Sequence, residues 1–505
     1  MKRTKLTTLA LLGALLVTTS CDKDLLDKVD PNAPSTQQFW KSQDDALRAM
    51  IAAYSRQQIF SNYSLYWHFA TEGRSDESFT NTPDTGLNQY LVFRQVNTSD
   101  QRSQFMWNDM YSIIFRCNQV LANVPNIQMD ETLKRRTLAE ALYLRSMVYY
   151  DLGLLFGNIP LVLTVFDANT RVSQVPQSEV YAQVLKDLAT AKPDLPLARD
   201  YSAADKGRAT RGAAAALMGK VYMQQKQWAQ AATQFTEVIS SNQYALVPNF
   251  EDNFTEANEN NSESIYEVQF SGVNKSFDQD LPGGTEGNER AQFWGPPGIG
   301  FTDVEVRRWV FDEFTDKTTT GGVDPRRDAT VFSAVGTPTL YGKAFVGPAG
   351  LNINPNRILW RKYQNDRTRN FEDFFSGINI RLIRYADVLL MHAEALNEQG
   401  QTAAAIPFIN QVRTRARLVP LVAANFNQTT LRAQLRHERV TELAGEGMRW
   451  SDLVRYGLFE TPAGLAELKV RDADFNNFIY PRNSLLPIPQ TDIDVDRNLK
   501  QNPGF

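Results

Sequence analysis

Cysteine and histidine are nearly missing from this sequence: two of the first and three of the second in 505 residues. Cys21 and Cys117 are too few for a disulfide framework or a thiolate metal site. His68, His392 and His437 are too scattered for a histidine-based metal centre, and His437-Glu438-x-x-Thr441 puts threonine where the zinc peptidase pattern needs its second histidine. There is no Walker sequence and no Gly-x-Ser-x-Gly elbow, and Gly295-x-x-Gly298-x-Gly300 has the wrong order for a dinucleotide fingerprint. No cofactor and no catalytic residue are expected. A basic excess is lacking too. The net charge is -4, and it becomes more negative if Lys2, Arg3 and Lys5 leave with a leader, which disfavours nucleic acid as a partner. Beyond Val17 no apolar run is long enough to span a bilayer.

What is present begins with a leader. Lys2, Arg3 and Lys5 precede an apolar run from Leu9 to Val17, and small polar residues lead to Cys21. This is an export signal over residues 1–20. A cysteine in that position looks like a bacterial lipoprotein acceptor, although Thr18, Thr19 and Ser20 depart from the Leu-Ala-Gly type of lipobox. Cleavage near Ser20 to leave an unacylated soluble protein is the alternative. The acidic stretch over residues 21–34 suits a solvated tether.

The globular domain is expected over residues 35–505. Ser42 caps a helix with acids in its first turn. Helices follow over Trp107 to Val124 and Leu133 to Phe156. Met110, Ile113, Ile114, Cys117 and Leu121 recur at helical steps, so Cys117 reads as a small core hydrophobe. Met218-Gly219-x-x-Tyr222 followed by Ala231-x-x-x-Phe235 fits the tetratricopeptide spacing, and Leu389, Ala393, Leu396, Ala405 and Ile409 repeat it more loosely. An ordinary helical hairpin explains the second pair equally well. Leu382 to Leu396 lines one helix face and Gly400 stands at its C-terminal cap. Arg436, Glu438, Arg439, Glu442 and Glu446 form a charge ladder of the kind that sits on a helix surface, while Arg384, Asp387 and Glu394 on one segment and Arg439, Arg449 and Asp452 on the other suggest buried or half-buried ion pairs between helices. Two stretches lack such periodicity, residues 78–103 and about 242–379, and segments this long are functional or disordered. The aromatic content of the second argues for order.

AEALNEQG after His392, ERVTELAGEGMRWSDLVRYG after His437 and the terminal LPIPQTDIDVDRNLKQNPGF together resemble the SusD/RagB family of nutrient-binding outer-membrane lipoproteins. The resemblance extends upstream to AEALYLRSMVYYDLGLLFGNIPLV and ATRGAAAALMGKVYM, and is weakest over residues 270–363. It implies a mainly α, SusD-like helical body with tetratricopeptide-like helix pairs and a large irregular loop region as the ligand face. It also implies a cell-surface lipoprotein, anchored in the outer membrane through Cys21, that passes an oligosaccharide to a SusC-like TonB-dependent transporter. A peptide ligand in the same role is left open by the family, and a surface glycan hydrolase using loop carboxylates is a further alternative.

No ligand residue carries over from the family, so the candidates come from the loops themselves. Trp294 and Phe293 stand among Gly and Pro with little helical face to pack on. Exposed, such rings would offer a flat apolar surface to a sugar; buried, they would plug the loop onto the body. Tyr90, Phe93 and Tyr341 pose the same choice, and Asp76 lies where the second helix breaks. Glu286, Glu289, Asp303 and Glu305 read as solvated loop carboxylates.

Overall fold

The computed structural model describes residues 39–94, 96–165, 170–273 and 286–505. The leader, Cys21 and the tether lie outside these residues. Helix α1 (Gln43–Ser55) opens on the predicted cap: the Ser42 hydroxyl accepts from the Asp45 N–H, and the Asp45 carboxylate accepts from the Ser42 N–H at 2.9 Å. It buries Ala46, Met50 and Ala53. After a short helix, α2 (Thr85–Leu91), come α3 (Gln101–Asn123), α4 (Glu131–Phe156), α5 (Gln177–Ala191), α6 (Arg211–Gln224) and α7 (Trp228–Ser240). From α3 onward each packs on the next, and α7 packs on α10 (Tyr385–Glu398), which contacts α11 (Thr402–Arg415) and α12 (Gln428–Leu443). The fold is therefore mainly α, an array in which a helix buries one side on its predecessor and another on its successor. Cys117 is fully buried, and burial pushes its thiol up to about 12, as a core position requires.

Both predicted helix pairs form hairpins. A Cβ on Gly219 would fall 2.3 Å from Phe235 Cε1, so glycine is what lets α6 and α7 approach. Gly400, at φ 76°, ends α10 where the sequence placed its cap.

The charge ladder on α12 behaves against expectation. Glu438, Arg439, Glu442 and Glu446 are all buried. Arg439 bridges Asp387 at 2.8 Å and Asp452 at 2.7 Å, and Arg455 bridges Glu394 and Asp452 at 2.8 Å each. Arg449 instead reaches Asp76 at 2.7 Å. The ladder faces inward because partner charges arrive from other segments; without them each ion would cost several kcal/mol to bury, on the order of a domain's whole stability.

Two of the short antiparallel ladders fix where the irregular stretches begin and meet. β2 (Ser264–Val268) pairs with β4 (Ile380–Arg384), closing the base of the 242–379 segment. β1 (Ser78–Phe79) pairs with β3 (Glu305–Val306), just ahead of the short helix α9 (Arg308–Glu313), tying the first aperiodic stretch to the second across more than two hundred residues. Within the second, Phe332, Leu340, Tyr341, Phe345, Ile353 and Leu359 form a small core of their own.

Candidate functional site

The turn before β1 (Phe69–Gly73) and the segment before β3 meet at α8 (Arg290–Trp294), a helix of five residues with two unlike faces. Residues four apart share a face. Arg290 and Trp294 point inward. Arg290 donates to both oxygens of Glu72, at 2.7 and 3.2 Å, and to the carbonyls of Lys362 and Gly445; Trp294 Nε1 donates to Glu72 Oε1 at 2.6 Å. The indole stacks on Phe69 with ring centres 5.2 Å apart. Burial opposes the charge on Glu72, but Arg290 and His68 outweigh it and hold the carboxyl below its usual range.

Glu289 and Phe293 lie on the other side. Phe293 is half-buried and belongs to a row of rings. It meets Phe69 edge-on at 5.6 Å, Phe301 at 5.3 Å and Phe374 at 6.2 Å. From Phe69 the row continues through Tyr66 and Phe60 to Phe105. Phe301 is 50% exposed and Phe105 38%, so both ends of the row open to solvent.

The turn between Trp294 and Phe301 explains which ring is held out. The N–H groups of Ile299 and Gly300 both donate to the Pro296 carbonyl at 2.9 Å, and Gly295 and Gly300 touch backbone to backbone, where a Cβ on Gly295 would fall 2.8 Å from the Gly300 Cα. The segment leaving the turn then runs back along α8, with Phe301 N–H donating to Gln292 O and Asp303 N–H to Phe293 O, both at 2.8 Å. Thr302 takes φ 60° there, its hydroxyl on the Gly295 carbonyl. The Gly-Pro stretch thus presents the aromatic that follows it.

Most of the aromatic candidates fall elsewhere. Trp294 is fully buried, because its indole N–H has a carboxylate partner only inside. Tyr90 and Phe93 are buried beneath Arg74, whose guanidinium lies 5.3 Å from each ring centre and 4.7 Å from that of Trp450. Asp76 is buried in its bridge to Arg449. Tyr341 belongs to the small second core and bonds Gln364 and Glu372. Of the six side chains only Phe293 belongs to the row, and Trp294 backs it from inside through Phe69. Three of the four loop carboxylates are not solvated either, and Glu286 is half-buried. Glu305 is buried against Asn81 and Arg357, Asp303 is buried beside Thr82, and Glu289 is 9% exposed. Phe60 and Tyr66 were hidden from sequence reasoning by wide π-helical turns at Phe60–Ser64 and Phe69–Gly73, which break the 3.6-residue period.

Asp316, His437 and Glu438 bring three potential metal-ligand atoms within 4.8 Å of one another. Cations of the chain already sit there. Arg413 bonds both carboxylates, and the two nitrogens of His437 meet Glu313 at 2.8 Å and Asp316 at 2.9 Å. Burial opposes the imidazolium, but these bonds prevail and raise it to about 9, so the group is neutralised within the chain.

The SusD family model matches residues 262–505, and a second model, described as starch-binding associating with outer membrane, matches residues 26–223. SusD-like protein P38 of Formosa agariphila is 30% identical over 483 residues, covering 89% of this chain and 90% of that protein. The chain belongs to the SusD family. Starch-binding protein SusD of Bacteroides thetaiotaomicron is 25% identical over 455 residues, covering 81% of this chain and 79% of its own. Among solved structures, a SusD superfamily protein from Bacteroides vulgatus superposes with TM-score 0.80 at 25% identity, over 92% of this chain and all of that one. A laminarin-binding SusD-like protein superposes with TM-score 0.75 at 28% identity, over 92% of this chain and 100% of its own. SusD-like proteins are binding proteins associated with the outer membrane, and carbohydrate is the ligand named for several.

Proposed function

We propose that this SusD-like protein captures an oligosaccharide at the cell surface and delivers it to a SusC-like TonB-dependent transporter of the outer membrane. The observation that carries the reading is the row of rings from Phe105 to Phe374, solvent-open at Phe301. A glycan chain presents C–H faces at regular intervals, and the accessible rings of the row, Phe301 and Phe105 with half-buried Phe293, Tyr66 and Phe60 between them, meet several of them without enclosing the chain, while buried Phe69 backs them. The laminarin-binding neighbour supports carbohydrate as the class. The task is binding, with no covalent step. The body of helices holds the ridge rigid, so little is spent on ordering it when the ligand arrives.

Phe301→Ala should weaken glycan binding by about 2 kcal/mol, more than tenfold, while leaving the melting midpoint nearly unmoved, because half of the ring already faces water. Calorimetric titration and thermal denaturation on one preparation check both, and unaltered affinity would remove the ridge from the site. Release of new reducing ends from the bound glycan would turn the reading toward a hydrolase.

Retention at the membrane is assigned to acyl chains on Cys21, since more than one chain is needed for stable anchoring and no described helix is long and apolar enough to cross a membrane. In cells expressing the full-length chain, Cys21→Ala should move the protein out of the membrane fraction. A variant that stays embedded after high-salt washing defeats the assignment.

A further inference from the structure

The polar rim of the ridge bears on which glycans it accepts, an inference that rests on the ridge being the ligand face. Buried acids in this part of the molecule have partners: Glu72 has Arg290, Asp76 has Arg449, and Glu305 has Arg357. Glu289 does not. Its N–H donates to Ser64 Oγ at 3.0 Å, yet no hydrogen bond or ion pair to its carboxylate occurs among the described residues, although the residue is only 9% exposed. Burial alone pushes its carboxyl up to about 7. Three residues on, Gln292 is equally buried and its Oε1 has no donor. A buried acceptor without a donor costs free energy, so Gln292 Oε1 and, three residues before it, a carboxylate with no partner among the described residues mark places beside the aromatic row where donors arrive from outside.

We propose that Glu289 and Gln292 accept hydroxyl groups of an uncharged glycan lying on the ridge, and that this rim selects neutral chains over those bearing carboxylate or sulfate. The charges nearby point the same way. Asp303 and Asp84 add negative charge, and Arg102 is committed to Asp84 at 2.9 Å and to Asp100. A uronate or sulfate would bring a like charge to this rim, and among the described residues Arg102, the cation beside it, is already committed. An ammonium would have to shed most of its hydration to reach a carboxylate this buried, whereas a hydroxyl sheds little. A hydrogen bond from a sugar hydroxyl to an ionised acceptor is about twice as strong as one between neutral groups.

The test is a binding panel on the purified protein: laminarin, starch and xylan as neutral chains, alginate and polygalacturonate as uronates, carrageenan as a sulfated chain, and chitosan oligomers as cations. Binding is expected only within the neutral set. Glu289→Gln keeps the shape and removes the charge. It should weaken the bound neutral glycan about tenfold with no loss of thermal stability, since a carboxylate without a partner contributes none. A wild-type protein that binds a uronate, sulfated or cationic chain as tightly, or a Glu289→Gln protein with unchanged affinity, overturns the inference. Phe301→Ala keeps the two readings apart. If it weakens binding while Glu289→Gln does not, the ridge stands and the selectivity falls. If Phe301→Ala changes nothing, or no chain binds at all, the ridge falls as well.

Discussion

Arg384→Gln should destabilise the protein by about 3–5 kcal/mol, the cost of orphaning buried charge. Arg384 ends β4 and leads into α10. Its guanidinium meets Glu446 at 2.7 Å, Glu263 at 2.7 Å and Glu442 at 2.6 Å, and donates to the Glu442 carbonyl at 2.8 Å. All three carboxylates are at most 1% exposed. Lys362, Arg326 and Arg415 also contact this group, so the knot would not lose all its positive charge, but three inward carboxylates would lose their shared bidentate donor. The pH dependence gives a second readout. Burial works against ionised Glu442, yet Arg415, Arg384 and Arg326 hold its carboxyl well below the usual range. A depressed carboxyl contributes stability above its unfolded value, near the ordinary 4.5, that is lost only as the pH falls through the folded value. In wild type that contribution is intact at pH 5. In Arg384→Gln the depression is weakened, and protonating one of the crowded carboxylates relieves repulsion, so the deficit should shrink between pH 8 and pH 5. Urea denaturation at the two pH values measures it; a deficit that is absent, or that grows on acidification, counts against the network as the clamp between α10 and α12.

Trp294→Ala should lower stability by about 3–5 kcal/mol, the range for truncating a core tryptophan. The indole fills the space between Phe69 and Arg290 and supplies one of the hydrogen bonds that satisfy Glu72. Its loss leaves both a cavity and a weakened buried carboxylate. The remaining folded protein should bind glycan as wild type does, because the ring has no exposed face to contribute. Comparing denaturation midpoint and affinity with those of Phe301→Ala gives a cross: one variant loses stability, the other affinity. Weakened binding by Trp294→Ala at an unchanged midpoint would return this ring to the ligand face.

The sequence by itself determined the helical body, the caps at Ser42 and Gly400, the core position of Cys117 and the family. Each of these is written in local signals, such as a 3.6-residue period over several turns, a capping residue at a fixed offset or a long ordered run of family motifs. It also set the ion-pair groups of α10, α12 and α13 (Arg449–Arg455) on facing segments. Only the tertiary structure decided which of those charges meet, and that the α12 ladder is buried with them, since a ladder with partners three and four residues away looks the same on a surface as in a core. The same holds for the candidate site. Five residues are too few for a helical period to show which way Phe293 and Trp294 point. The choice was made by Glu72, more than two hundred residues away, whose carboxylate draws Arg290 and the indole inward and so turns Glu289 and Phe293 out. The pairing of β1 with β3 lies likewise beyond local signals, because a two-residue strand has no pattern of its own and takes its conformation from the partner it meets.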